Sequence, residues 1–152
     1  MVTLIREQQL PISLDDAWDF FSKPVNLSKI TPKEMNFIIK TPNLTDAYAG
    51  QIIEYTVSPL FSIPLTWVTE ISQVENKKYF VDTQLQGPYK VWHHEHFFTE
   101  NDQGVLMKDI LNYQLPYGFF GKWMGKLFIS KKVEDIFTYR RKAIEEFFQS
   151  PR

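Results

Sequence analysis

The run ISKKVEDIFTYRRKAIEEFF, from Ile129 to Phe148, places Ile129, Val133, Ile136, Phe137, Ile144, Phe147 and Phe148 on one stripe at helical spacing. Lys131, Lys132, Glu134, Asp135, Arg141 and Lys142 occupy the rest of the surface. This pattern predicts an amphipathic helix of about 20 residues or more, roughly 30 Å long by its rise. A stripe of that length needs a large apolar partner, and the residues before it supply one. From about Asn36 to Tyr113 the period drops to two, with extended stretches over 36–40, 50–57, 65–73, 78–85, 89–99 and 105–114. Turn signals separate them: Pro42-Asn43, Ser58-Pro59, Glu75-Asn76, Gly87-Pro88 and Asn101-Asp102-Gln103-Gly104. Links this short join antiparallel neighbours and exclude parallel crossovers, so the stretches form a meander.

Further toward the N-terminus, Val2 to Leu10 is extended and Pro11 breaks it. Ser13 is placed to cap a helix whose first turn carries Asp15 and Asp16, and whose apolar face carries Leu14, Trp18 and Phe21. Pro24 ends that helix, and Val25 to Ile30 allows one more helical turn before Thr31-Pro32. One strand, two short helices, a six-strand meander and a long final helix define an α+β architecture, with the helix against the sheet. Pockets form between a curved sheet and one long helix. The alternative is that the aromatic side chains fill a dry core.

Composition sets the outer limits. The 152 residues include 13 Phe, 7 Tyr and 4 Trp, with 17 basic against 18 acidic side chains, which excludes general disorder and predicts a single domain spanning 1–152. A net charge of −1 argues against nucleic-acid binding. The absence of cysteine removes disulfides, thiolate metal sites and a cysteine nucleophile. No basic region followed by an apolar stretch opens the chain, and the longest uncharged run, Tyr55 to Thr69, falls short of the roughly 20 residues of a membrane span. A cytoplasmic protein without stable membrane insertion is expected.

The order of elements, with Ala17-Trp18-Asp19-Phe20-Phe21, Asn26-Leu27, Ile30-Thr31-Pro32, Gly50, Tyr55, Pro64 and Trp67, resembles the START/Bet v 1-like (SRPBCC) superfamily. The densest block of resemblance is FVDTQLQGPYKVWHHEH from Phe80 to His96, followed by Asp109, Tyr113, Leu115-Pro116-Tyr117-Gly118 and Phe137 to Arg140. The likeness is to a bacterial branch of ligand-binding proteins related to polyketide cyclases. It implies a helix-grip fold, a curved antiparallel sheet of about seven strands wrapped around the C-terminal helix. It also implies a cavity that takes a small hydrophobic or aromatic molecule, lipid or polyketide-like, with no cofactor.

On the strand 89–99, Trp92, His94, His96 and Phe98 share one face and Val91, His93, Glu95 and Phe97 the other. Both faces mix polar and apolar residues, so alternation leaves the inner face open. The resemblance favours the even-numbered face, and it brings Asp82, Gln84, Asp109 and Tyr113 to the same side. The expected ligand-binding set is therefore Tyr55, Trp67, Trp92 and Tyr113 as walls, with Asp82, Gln84, His94, His96 and Asp109 as polar groups. His94, His96, Asp82 and Asp109 are the candidates for acid–base chemistry of a cyclase or dehydratase. The competing reading is a satisfied buried network that holds the strands in register. Two His with a carboxylate are compatible with a metal, but no HExxH-like spacing is present and no metal is expected.

Two other features stand out. Phe119, Phe120, Trp123 and Met124, beside Gly118, Gly121, Gly125, Lys122 and Lys126, suit a flap or a membrane-touching tip in 117–128, or ordinary packing on the sheet rim. Arg140 sits beside the apolar stripe of the final helix. It has three readings: pairing with an acid from the sheet, meeting an anionic ligand group, or reaching to solvent.

Overall fold

A computed structural model describes residues 1–59, 62–116 and 124–149. The chain runs β1 (Val2–Leu10), α1 (Leu14–Phe21), two short 3-10 segments (Pro24–Ile30 and Lys33–Met35), β2 (Ile38–Ile39), β3 (Gln51–Val57), β4 (Leu65–Glu75), β5 (Tyr79–Gln86), β6 (Val91–Asn101), β7 (Gly104–Gln114) and α2 (Met124–Gln149). The strands form one seven-stranded antiparallel sheet in the order β1-β7-β6-β5-β4-β3-β2. The meander is as the turn signals predict, and β1 returns to pair along β7, with Leu4 opposite Leu111 and Leu10 opposite Val105.

Local chemistry sets the element ends. Ser13 Oγ accepts the Asp16 N–H at 3.1 Å and donates to the Asp16 carboxylate at 2.9 Å, which satisfies an otherwise orphaned first-turn donor of α1. The most buried residues of α1 are Ala17 and Phe20, with Leu14, Trp18 and Phe21 flanking them. The buried face is therefore centred one residue away from the expected one, because α1 is wedged between sheet and helix. Trp18 meets Phe80 and Phe98 on the sheet, while Phe20 meets Phe147 and Phe148 of α2. Gly104 closes the β6–β7 hairpin at φ 118°, and a Cβ there would lie 2.2 Å from the Leu10 carbonyl oxygen. Positive φ and close backbone approach together require glycine.

The expected strand over 36–40 contracts to two residues. Asn36 adopts a left-handed conformation at φ 46° to end a 3-10 turn, which delays entry into the sheet, and the chain leaves it again at Pro42. Two register shifts between β4 and β5, at Val68/Thr69 and Ile71/Gln73, bend that side of the sheet.

Three apolar clusters result. Ile144 of α2 packs with Leu10, Ala17, Phe20, Phe98 and Met107. Ile129, Val133 and Phe137 pack with Leu4, Leu111 and Tyr113. The third cluster, Ile53, Tyr55, Val57, Trp67 and Ile71 on β3 and β4, contains no α2 residue among the described ones. The helix grips the β1–β7–β6 half of the sheet and stands away from the β3–β4 half.

Candidate functional site

The ladder register assembles the polar cluster. Asp82 of β5 lies opposite His94 of β6, and Asp109 of β7 lies opposite His96. The even-numbered residues of β6 and the odd-numbered residues of β7 face the interior, where His94, His96 and Asp109 are buried. Nε2 of His96 hydrogen-bonds to Oδ2 of Asp82 at 2.8 Å. Nδ1 of His96 lies 2.8 Å from Oδ1 of Asp109, off the line of an aligned hydrogen bond. His94 sits between the same carboxylates at longer range, with Nδ1 3.6 Å from Asp82 and Nε2 3.3 Å from Asp109. The two imidazoles are 3.8 Å apart by ring centroid, and Phe80 stacks on His96 at 4.3 Å.

Protonation follows from this geometry. An ionised carboxylate only accepts, so each nitrogen of His96 that faces one holds a proton, and the ring is an imidazolium. Burial works against that charge, but the contacts with Asp109 and Asp82 prevail and push its pKa up to about 9. Burial would likewise raise the carboxyls of Asp82 and Asp109, yet their contacts and charge interactions with the two histidines hold both below the usual range. His94 goes the other way. Burial, reinforced by the neighbouring His96 charge, lowers its pKa, so it is the neutral base of the pair.

Beside this cluster a cavity of about 160 Å³ lies between α2, the 3-10 segments and the β3–β4 half of the sheet. Its aromatic wall is continuous. Phe37 packs on Tyr55 at 4.8 Å, Tyr55 stacks with Trp67 at 6.1 Å, Trp67 meets Trp92 edge-on at 5.2 Å, and Tyr89 packs on Trp92 at 4.7 Å. The Tyr55 hydroxyl pairs with that of Thr69 at 2.7 Å, and burial raises the phenol's pKa above its ordinary 10.0.

Of the nine residues singled out by sequence, Tyr55, Trp67, Asp82, Trp92, His94 and His96 line this cavity. The other three have structural partners. Asp109 sits behind His96. The Gln84 amide donates to the Tyr89 carbonyl at 2.7 Å and accepts its N–H at 3.2 Å, closing the β5–β6 turn. The Tyr113 hydroxyl donates to Ser130 at 3.0 Å and ties α2 to β7. Arg140, Tyr89, Phe37 and Ile53 also line the cavity. Arg140 falls four residues after Ile136 and four before Ile144, an inward position that the helical period marks.

Arg140 does not pair with an acid from the sheet among the described residues. Its Nε is buried without a hydrogen-bond partner, the residue as a whole is half-buried, and it forms no ion pair among the described residues. Its guanidinium lies over the Phe137 ring, 5.5 Å from Cζ to the centroid. Burial draws its pKa down from 12.5, with Asp109, Asp82 and Tyr55 opposing, and the guanidinium stays charged.

Asp82, His94 and His96 each offer a potential metal-ligand atom within 4.8 Å of the others. A metal there would have to displace the Nε2 proton that His96 donates to Asp82, while the Nδ1 proton of His96 faces Asp109. The donor set fits a proton-sharing network more closely than a metal centre. The expected flap or membrane tip falls largely on 117–123, outside the described residues, and the side chains of 124–126 are likewise not described. Leu127 and Phe128, at its end, are exposed. Among the described residues no helix is long and apolar enough to cross a membrane.

No family model and no curated protein matches the chain. Solved structures do. A protein from Chromobacterium violaceum superposes with a TM-score of 0.72 at 11% identity, covering 98% of this chain and 99% of that one. Major latex-like protein 151 from Panax ginseng gives 0.69 at 12%, covering 98% of each chain. The protein Ara h 8.0201 gives 0.62 at 12%, covering 95% and 98%. The chain has the Bet v 1-like helix-grip fold, as the resemblance read in its sequence implies. At these identities the likeness extends to architecture alone.

Proposed function

We propose that the protein binds a small hydrophobic or aromatic molecule in the cavity between α2 and the β3–β4 half of the sheet. The observation that carries this reading is the cavity of about 160 Å³, walled by aromatics and closed on one side by ionised side chains. An engineered apolar cavity of roughly 150 Å³ takes benzene, which sets the size of the ring system. Burial against Tyr55, Trp67 and Trp92 supplies affinity, while Asp82, His94 and His96 supply orientation. The Bet v 1-like fold is one that generally binds small ligands, which supports the same reading.

The test is native mass spectrometry of protein purified from cells, set beside its denatured mass, together with titration of tryptophan fluorescence by naphthalene derivatives. An added mass that leaves on denaturation, or saturable quenching of Trp67 and Trp92, is expected. A bare chain whose fluorescence no such compound changes would refute the reading.

One observation favours a second reading. His94 is a neutral imidazole in the cavity wall, flanked by an imidazolium and two carboxylates. That is an acid beside a base, as a cyclase or dehydratase acting on a polyketide-like substrate needs. Under this reading His94→Gln abolishes turnover while leaving binding in place. Equal turnover in the variant would leave only the carrier.

A further inference from the structure

Apart from the His94 and His96 nitrogens that face Asp109, two hydrogen-bond donors of the cavity-lining residues have no partner among the described residues: the indole N–H of Trp67 and Nε–H of Arg140. Every other charged group at the cluster is committed. His96 engages both carboxylates at 2.8 Å, and His94 lies within 3.6 Å of each. Arg140 alone among them has no hydrogen bond or ion pair among the described residues, although its Nε is buried and its guanidinium lies over the Phe137 ring. Leaving a buried donor unmet is costly, and for a charged donor more so. The missing partner is therefore an acceptor, and the planar guanidinium fork matches a carboxylate. A single cation without a direct partner suits a monoanion rather than a phosphate dianion. The aromatic wall and the cavity volume of about 160 Å³ limit the remainder to a compact ring system.

Resting on the proposed binding function, we infer that the cavity is a site for a small aromatic carboxylate, whose ring lies against Tyr55, Trp67 and Trp92 and whose carboxylate is paired by Arg140. Arg140 is then the residue that selects an acid over its neutral analogues.

Matched probes test this. Benzoate with benzamide, and 2-naphthoate with 2-naphthamide, are titrated into the intact protein by calorimetry and tryptophan fluorescence. The wild-type protein should bind at least one acid tenfold or more tighter than its amide. Arg140→Met, which keeps the length and apolar stem of the side chain, should reduce that ratio to about one or below while amide affinity stays within about threefold. Circular dichroism establishes that the variant is folded, and the wild-type acid-to-amide ratio decides the matter even if it is not. Equal wild-type affinity for acid and amide, or an acid preference that survives Arg140→Met, overturns the assignment and leaves the cavity a neutral-ligand site. If neither acids nor amides bind the wild-type protein, the binding function fails and this inference fails with it.

Discussion

His96 holds two protons because each ring nitrogen faces a carboxylate at 2.8 Å, and this arrangement gives folding stability a pH window. The pKa of His96 is raised in the folded state, so its contribution is fully present below the ordinary 6.5 and is lost as pH climbs through about 9. Asp82 and Asp109 are depressed, so theirs is present above the ordinary 3.8 and fades as pH falls below it. His94 is also depressed. The unfolded chain takes up that proton first, and stability declines as pH drops below 6.5. Urea midpoints measured from pH 4 to 10 should be highest near pH 6.5, fall between about 6.5 and 9, and level off above that. His96→Gln leaves two buried carboxylates without their cation, and should cost about 3–5 kcal/mol at pH 7 while flattening the alkaline decline. An alkaline decline of wild-type size in that variant would place its origin elsewhere. These residues were visible in the sequence as chemistry-bearing types, but their facing was not. His94 and Trp92 alternate with His93 and Glu95, and polarity does not separate the two sets. The exposed side turns out to carry a looser pair, His93 and Glu95 at 3.6 Å.

Among the elements, α2 was the most legible and the most consequential. Ile144, at 1% exposure, sits inside the largest apolar cluster, whereas Leu127 on the same helix is 64% exposed. Ile144→Ala should lower unfolding free energy by about 2–5 kcal/mol, and Leu127→Ala should stay within about 0.5 kcal/mol. Chemical denaturation of both variants checks the contrast, and comparable losses would show that the stripe is wrongly placed. At the start of α1, Ser13→Ala removes the side-chain cap and should cost about 1 kcal/mol. Helix ends and strand periods are local properties, which is why the β3 to β7 limits read from sequence fall within two residues of the observed ones. The exceptions are where a competing local conformation or a long-range pairing takes over. Asn36 turns left-handed and shortens β2, and the β4–β5 bulges leave no mark in the alternation of either strand.

In the assembled molecule, the cavity exists because the helix is attached on one side only. Ile129, Val133, Phe137 and Ile144 all pack toward β1, β6, β7 and α1, while among the described residues the apolar cluster on β3 and β4 includes none from α2. A curved sheet cannot lie flat against a straight helix along its whole width, and the bulged side bends away. Ile53, in the far wall, offers a way to fill that space. Ile53→Phe should keep the fold, with a stability change of about 1–3 kcal/mol from overpacking, and should abolish aromatic-ligand binding by fluorescence titration. Undiminished binding would put the ligand somewhere other than this cavity.

Hydrophobic period, capping residues and turn signals were enough to set the elements and their antiparallel order. Each depends on neighbours within a few positions of the chain, so the α+β order of elements could be read before any coordinates, and the family resemblance implied the helix-grip architecture. Which side chains share the interior was settled by packing. Asp82 and His96 are 14 residues apart and meet through strand pairing, and Arg140 approaches Tyr55 from the opposite end of the chain. Whether Arg140 would find a carboxylate, solvent or neither depended on where the bent sheet and the half-docked helix left room. Such a juxtaposition arises only when distant segments are brought together, and no spacing along the sequence encodes it.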